Sequence, residues 1–216
     1  MGWLFRAPSV DDLIRLLRAW RFWLLAALAG GLLAAAIYAV VPPPYRARAV
    51  VNVDFNLEQA WPKETDRQQF YYLERETRKL EEIAWSDAVM QAAAAAGSVP
   101  VSALRGGKVQ LSQPAEAGWH FYADDANPER AQFLASAWAR AFADAAQANV
   151  RAQGGLNSFI RVQVTQAADL PTQRSIPRSA YLLAGILSAW FLGATAVLFV
   201  DFQPGRERPQ DQQASR

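Results

Sequence analysis

Two stretches of the chain, Trp23–Val41 and Ala180–Val200, run without a single charged side chain. At 1.5 Å per residue a helix over the first covers about 28 Å, close to the ~30 Å hydrocarbon core of a bilayer. The second is two residues longer and spans the core with slight tilt. A buried helix of this length in a soluble protein shows a polar stripe, and neither stretch does. Two transmembrane helices are therefore predicted, at 23–41 and 180–200. Trp20, Trp23, Tyr38 and Tyr181 lie near their ends, where amphipathic rings favour the membrane interface. The first stretch exceeds the apolar core of a signal peptide and leads into Pro42-Pro43-Pro44, so a retained anchor is expected.

Between the spans the pattern changes to short periods. Arg46–Asn56 alternates around Ala47, Ala49, Val51, Val53 and Phe55, as a half-buried strand does. Lys63–Ala96 has neither Pro nor Gly and predicts one long helix or two abutting ones, stopped at Gly97. Its charges, among them Glu74, Arg75, Arg78 and Glu82, suit pairs three and four residues apart on a solvated face. Gly106-Gly107 predicts a turn, and Lys108–Ser112 with Trp119–Ala123 a strand pair around a Pro114–Gly118 loop. Asn127-Pro128-Glu129 is a helix start: an N-cap, a proline at the first helical position and an acid at the positive end. That helix is expected to run to about Arg151, with Phe133, Ala137, Ala141 and Ala145 in a stripe toward the core and Leu134, Trp138 and Phe142 beside it. Gly154-Gly155 stops it, and Phe159–Ala167 is the last strand. The expected class is α+β: a β-α-β-β-α-β domain over 42–179 with a mixed sheet and helices on one face.

Composition sharpens the division. The 52% hydrophobic content and net charge of +2 average over apolar spans and a middle domain with 15 Lys+Arg against 15 Asp+Glu. No basic patch points to nucleic acid. Arg6, Arg15, Arg18 and Arg21 precede the first span, and Arg206, Arg208 and Arg216 follow the second. By the excess of arginine in short flanks, segments 1–22 and 201–216 are expected in the cytoplasm and the middle domain outside it. Cysteine is absent, which removes disulfide and thiolate chemistry.

Catalytic equipment is sparse. His120 is the one histidine, set between Trp119 and Phe121 with no nucleophile motif nearby, and a structural role in packing is expected for it. Metal sites built from His and Cys lack their ligands. Asp124-Asp125 with Glu129 is explained by helix capping, and Glu81-Glu82 by a solvated helix face. Gly106-Gly107-Lys108 lacks the spacing of a phosphate-binding loop. No catalytic, cofactor-binding or metal-binding residue is assigned, and the chain is not expected to be an enzyme.

Several fragments, in order and at set distances from the spans, resemble one family. They are Asp11-Asp12-Leu13-Ile14-Arg15-Leu16-Leu17-Arg18 before the first span and Pro44-Tyr45-Arg46-Ala47 after it. Further along come Asp125-Ala126-Asn127-Pro128-Glu129-Arg130-Ala131, and Ala168-Asp169-Leu170-Pro171 with Pro177 and Arg178 before the second span. Together they are similar to the polysaccharide chain-length determinants, or polysaccharide co-polymerases. The motif positions carried over are Pro44, Tyr45, Ala47, Asn127, Pro128, Ala168, Pro171, Pro177 and Arg178, all structural. Two departures stand out. The family's closing prolines often recur every third residue, and the middle one here is Arg174; the very long helix of most members is missing, as is a kinase domain.

The resemblance implies a minimal membrane scaffold. It would oligomerise with itself in the inner membrane and set how far a polymerase extends a lipid-linked polysaccharide, or help export the polymer. Close helix packing is offered by Ala26-x3-Gly30-x3-Ala34, Ala27-x3-Gly31-x3-Ala35 and Gly185-x3-Ala189-x3-Gly193. Two other readings share the two-span plan: a transmembrane adaptor that activates a separate cytoplasmic tyrosine kinase, and a periplasmic sensor whose output domain is another protein. The partners expected are a second copy of the chain, a polysaccharide polymerase or export machinery and the lipid bilayer, with a cytoplasmic tyrosine kinase in the adaptor reading.

Overall fold

A computed structural model of the chain describes residues 10–60, 66–113 and 118–200. In chain order its elements are α1 (Val10–Arg18), α2 (Trp20–Val40), β1 (Tyr45–Asp54), α3 (Leu57–Ala60), α4 (Asp66–Ala84), α5 (Asp87–Gly97), α6 (Val101–Ala103), β2 (Val109–Ser112), β3 (Trp119–Asp125), α7 (Pro128–Gln153), β4 (Arg161–Gln166) and α8 (Arg178–Val200). They form two compact units, one of the chain up to Pro42 and from Ile176, the other Pro43–Ser175.

The first unit is a helix pair. Both α2 and α8 are long and apolar enough to cross a membrane. They run antiparallel, with Tyr38 meeting Tyr181 edge-on at 5.6 Å and Trp23 meeting Trp190 at 6.0 Å. Leu25, Leu28, Leu32, Leu33, Phe191 and Leu192 are each more than half exposed. Such a collar of bare leucines is unlike the core helix of a soluble protein and suits hydrocarbon.

The second unit is an α+β domain. Its sheet has the order β2-β3-β1-β4, and every adjacent pair is antiparallel. The mixed sheet expected from the sequence is thereby corrected. The strands that are parallel to one another (β1 with β2, β3 with β4) have a third strand between them, because each helical crossover skips one place. These are two split β-α-β units interleaved. A register shift at Val50/Val51 lets β1 serve both neighbours.

Strand parity then divides the sheet. Ala47, Ala49 and Val51 of β1, with Trp119, Phe121 and Ala123 of β3, are buried against α7, and β4 adds Val162. The core stripe of α7 is Leu134, Ala135, Trp138, Ala139, Phe142 and Ala146. Phe133, expected in that stripe, is instead 54% exposed, and Ala137, Ala141 and Ala145 are only half-buried. The stripe turns toward the residues whose large rings can reach Phe121, which lies tilted against Phe142 at 5.0 Å and meets Trp138 edge-on at 4.7 Å.

Of the two alternatives for 63–96, the described residues form two abutting helices, α4 and α5. Ser86 caps α5 by accepting from the Val89 amide, and Asp87 follows in its first turn. Helix α5 ends with Ser98, not Gly97, in the left-handed region (φ 50°). Gly97 acts through packing instead. A Cβ there would overlap the Leu134 side chain, so glycine lets α5 lie against α7. Gly107, at φ 109°, does supply the expected turn before β2. The Pro114–Gly118 loop lies outside the described residues up to Gly118, as do Lys63 to Thr65.

Candidate functional site

The motif positions fall where elements begin or are fastened within each unit. At the neck of the α+β domain its two chain ends are held together. The Ser175 amide donates to Pro44 O at 2.8 Å, and Tyr45 is bridged to Arg174. Arg174 then donates from Nη1 to Pro43 O at 2.6 Å and lays its guanidinium 4.5 Å from the centre of the Tyr45 ring. Arg174, which stands where the resemblance led a proline to be expected, thus closes this clasp. Proline there has neither donor nor charge.

Ala168 is buried and held to α7 from both sides of its peptide: its amide donates to Ser136 Oγ at 3.1 Å and its carbonyl accepts from Gln132 Nε2 at 2.9 Å. Pro171 is half-buried. Ala47 is buried beneath the sheet. In the helix-pair unit Pro177 O accepts from the Ala180 and Tyr181 amides, which starts α8 at Arg178.

The start of α7 is built as the sequence indicates. Asn127 Oδ1 accepts from the Glu129 amide at 2.8 Å and the Arg130 amide at 3.3 Å, and Pro128 occupies the first helical position. The two aspartates before it have separate duties. Asp124 takes a two-pronged bond from Arg46, at 2.8 and 2.7 Å. Asp125 is buried, accepts from the Asn127 amide at 3.0 Å and pairs with Lys108 Nζ at 2.9 Å. No group of three or more His, Cys, Asp or Glu among the described residues is placed to hold a metal ion.

Burial pushes the Asp125 carboxyl up, but the Asn127 amide, the Lys108 hydrogen bond and the charges of Lys108 and Arg130 outweigh it and hold the group below its usual range. A carboxylate depressed on folding stabilises the folded chain above its unfolded value and loses that contribution as pH falls through the folded one. The wild type should therefore lose stability below about pH 4, whereas Asp125→Asn should be less stable at neutral pH and flatter in acid. Urea midpoints at pH 3 to 7 check this, and parallel pH curves for the two proteins would refute it.

His120 lies on the opposite side of the sheet from Trp119 and Phe121, so packing between those two rings is not its role. Its Nδ1 is 3.2 Å from Tyr122 Oη, and the two rings meet edge-on at 5.9 Å. The Tyr122 ring also faces the Arg46 guanidinium at 5.7 Å. Arg48, opposite Tyr122 in the register, is exposed, and no side-chain partner holds it among the described residues. Burial, and then the charge of Arg48, hold the imidazole below its usual range. Strand parity was the available signal: Arg46, Arg48, His120, Tyr122 and Asp124 all alternate with core residues.

The small-residue faces of α2 and α8 meet each other. A Cβ on Gly30 would overlap the Ala189 Cβ and stand 2.5 Å from Gly185 O; one on Gly185 would stand 2.5 Å from the Ala34 Cβ; one on Gly193 would stand 2.7 Å from the Ala26 Cβ. Gly31 faces Ile186, 3.0 Å from where its Cβ would lie. The pairs 26/193, 30/189 and 34/185 are successive rungs of one antiparallel contact within a single chain. No protein-family model and no curated protein matches this sequence.

Proposed function

We propose that the chain is a two-span membrane scaffold that assembles with itself and modulates the length, or the export, of a lipid-linked surface polysaccharide. The observation that carries this reading is where the family-like residues fall. Pro44 and Tyr45 meet Arg174 and Ser175 in the clasp, Asn127 and Pro128 start the core helix, Ala168 is pinned to it, and Pro177 and Arg178 start the second apolar helix. The same residues scattered over loops would carry less. The antiparallel pairing of α2 and α8 also agrees with both ends of the chain lying on the cytoplasmic side and the α+β domain outside. Since the small residues of the two spans are occupied by each other, contact between copies in this reading uses the lipid-facing leucines or the α+β domain.

The mechanism is geometric: such a scaffold biases when a polymerase stops, and leaves bond making to its partner. Deleting the gene should change the size ladder of the polysaccharide on gels with the sugar composition unchanged, and reporter fusions within 42–179 should score extracytoplasmic. An unaltered ladder with normal yield overturns the reading. Removing residues 201–216 should leave a length regulator largely functional; a kinase adaptor would fail.

A further inference from the structure

Of the two sheet faces, α7 covers one. The other carries Arg46, Arg48, Val50, Asn52 and Asp54 from β1, His120, Tyr122 and Asp124 from β3, Gln110 and Ser112 from β2, and Arg161 and Gln163 from β4, with Arg161 opposite Asp54 in the register. We propose that this open face is a docking site for the acidic sugars of a polysaccharide, with the uronate carboxylate on Arg48 and the apolar side of the sugar ring against Tyr122. The proposal rests on the polysaccharide reading above and specifies the class of sugar.

Three observations lead there. First, the face is amide, hydroxyl, guanidinium, carboxylate and aromatic, with Val50 its one aliphatic side chain among those named, so it offers a protein helix little to bury against. Planar amides and rings beside a cation suit a flat, hydroxyl-rich anion. Secondly, its charge is unbalanced at a defined place. Asp124 is fully engaged by Arg46, while Arg48, one rung away beside the same tyrosine, is left without a counter-ion among the described residues. Thirdly, the platform is already ordered: Arg46 is fixed by its two bonds to Asp124 and lies over the Tyr122 ring, and the Tyr122 hydroxyl is tied to His120. Of the groups that would meet the sugar, Arg48 is then the chief one left to be ordered on binding.

His120 makes the site readable, because it is the one histidine of the chain. The charged groups facing it are Arg48 and the Arg46–Asp124 pair of β1 and β3, with Tyr122 on its own strand. Ser112 of β2, directly opposite, and Gln166 of β4, next to Val50, carry no charge. Burial is the larger cause of the lowered His120 titration, but an anion seated on Arg48 offsets the second cause and adds its own negative charge, so the titration is expected to move upward.

The test uses the full-length protein in zwitterionic nanodiscs with ring-labelled histidine, titrated by NMR. Oligogalacturonate should shift the His120 midpoint upward and saturate. Maltohexaose and polyglutamate should not, the first lacking charge and the second lacking sugar rings. Arg48→Gln should weaken oligogalacturonate binding roughly tenfold or more, the effect of one charged hydrogen-bond pair, and Arg48→Lys should restore part of it. Because Arg48 is exposed, circular dichroism should show both variants folded. No shift with oligogalacturonate, an equal shift with polyglutamate, an equal shift on replacing the lipid by phosphatidylglycerol, or equal binding by Arg48→Gln would each overturn the site. An altered polysaccharide ladder on gene deletion, together with any of those results, would refute this face alone and leave the scaffold reading standing.

Discussion

Trp138→Ala should destabilise the α+β domain by about 3–5 kcal/mol, the range for removing a buried large aromatic side chain. The indole joins three elements at once. Its ring meets Phe121 of the sheet at 4.7 Å and Trp85 at 5.1 Å, and Nε1 donates to Ala84 O at the end of α4 at 3.0 Å. It is wholly buried, and α7 is the element on which the sheet and α5 both rest. Alanine would leave a cavity between rigid neighbours and strand the Ala84 carbonyl. Trp138→Phe keeps most of the packing and loses the hydrogen bond, so about 1 kcal/mol is expected. Amide exchange in β3 and α7 of the full chain in detergent measures both. A loss under about 1 kcal/mol for alanine would mean that this helix is not the keystone of the core.

The most legible features of this chain were those fixed locally. Absence of charge over a bilayer's thickness marks α2 and α8, and Asn127-Pro128-Glu129 marks the first residue of α7 because capping involves only neighbours. Alternation marked the parity of β1, while in β3 the same signal was passed over and His120 was expected to pack beside Trp119 and Phe121; even where it is read, parity names a face and not a partner. Which strand lies beside which is decided by crossovers tens of residues long, hence the mixed sheet expected and the antiparallel one found. For 63–96 the pattern left one long helix or two abutting ones open, and Ser86-Asp87 is the local signal that decides for two. Gly97 read as a stop from its type alone, whereas its cause, the Leu134 side chain, is distant in sequence. Arg174 looked like a lapse in a proline pattern. Only its meeting with Tyr45 and Pro43, 131 residues away from the latter, shows what an arginine does there.

Gly185→Leu should open the pair of apolar helices. The Gly185 position has the Ala34 Cβ at 2.5 Å and Gly30 O at 2.8 Å from a built Cβ, so even one methyl group forces the helices apart, and the obstacle is partly backbone. In hydrocarbon the helices gain no hydrophobic effect from meeting, so close van der Waals contact of small residues supplies most of their attraction. Overpacking of this kind costs about 1–3 kcal/mol, and about 1.4 kcal/mol is a tenfold change in the paired fraction. The chain has no cysteine, which makes engineered cross-linking clean. Tyr38→Cys with Tyr181→Cys, whose native rings meet edge-on with centroids 5.6 Å apart, should be joined within one chain by a short bismaleimide, seen as a faster-running monomer on gels. Adding Gly185→Leu should lower that yield several-fold, Gly193→Leu should do so less because its nearest backbone neighbour, Trp23 Cα, is at 3.3 Å, and Leu192→Ala on the exposed side should leave it unchanged. The same gels read contact between copies as dimer bands. If Gly185→Leu removed dimers while the cross-link within the chain persisted, the small residues would be holding two chains together, and the pairing within one chain would be refuted.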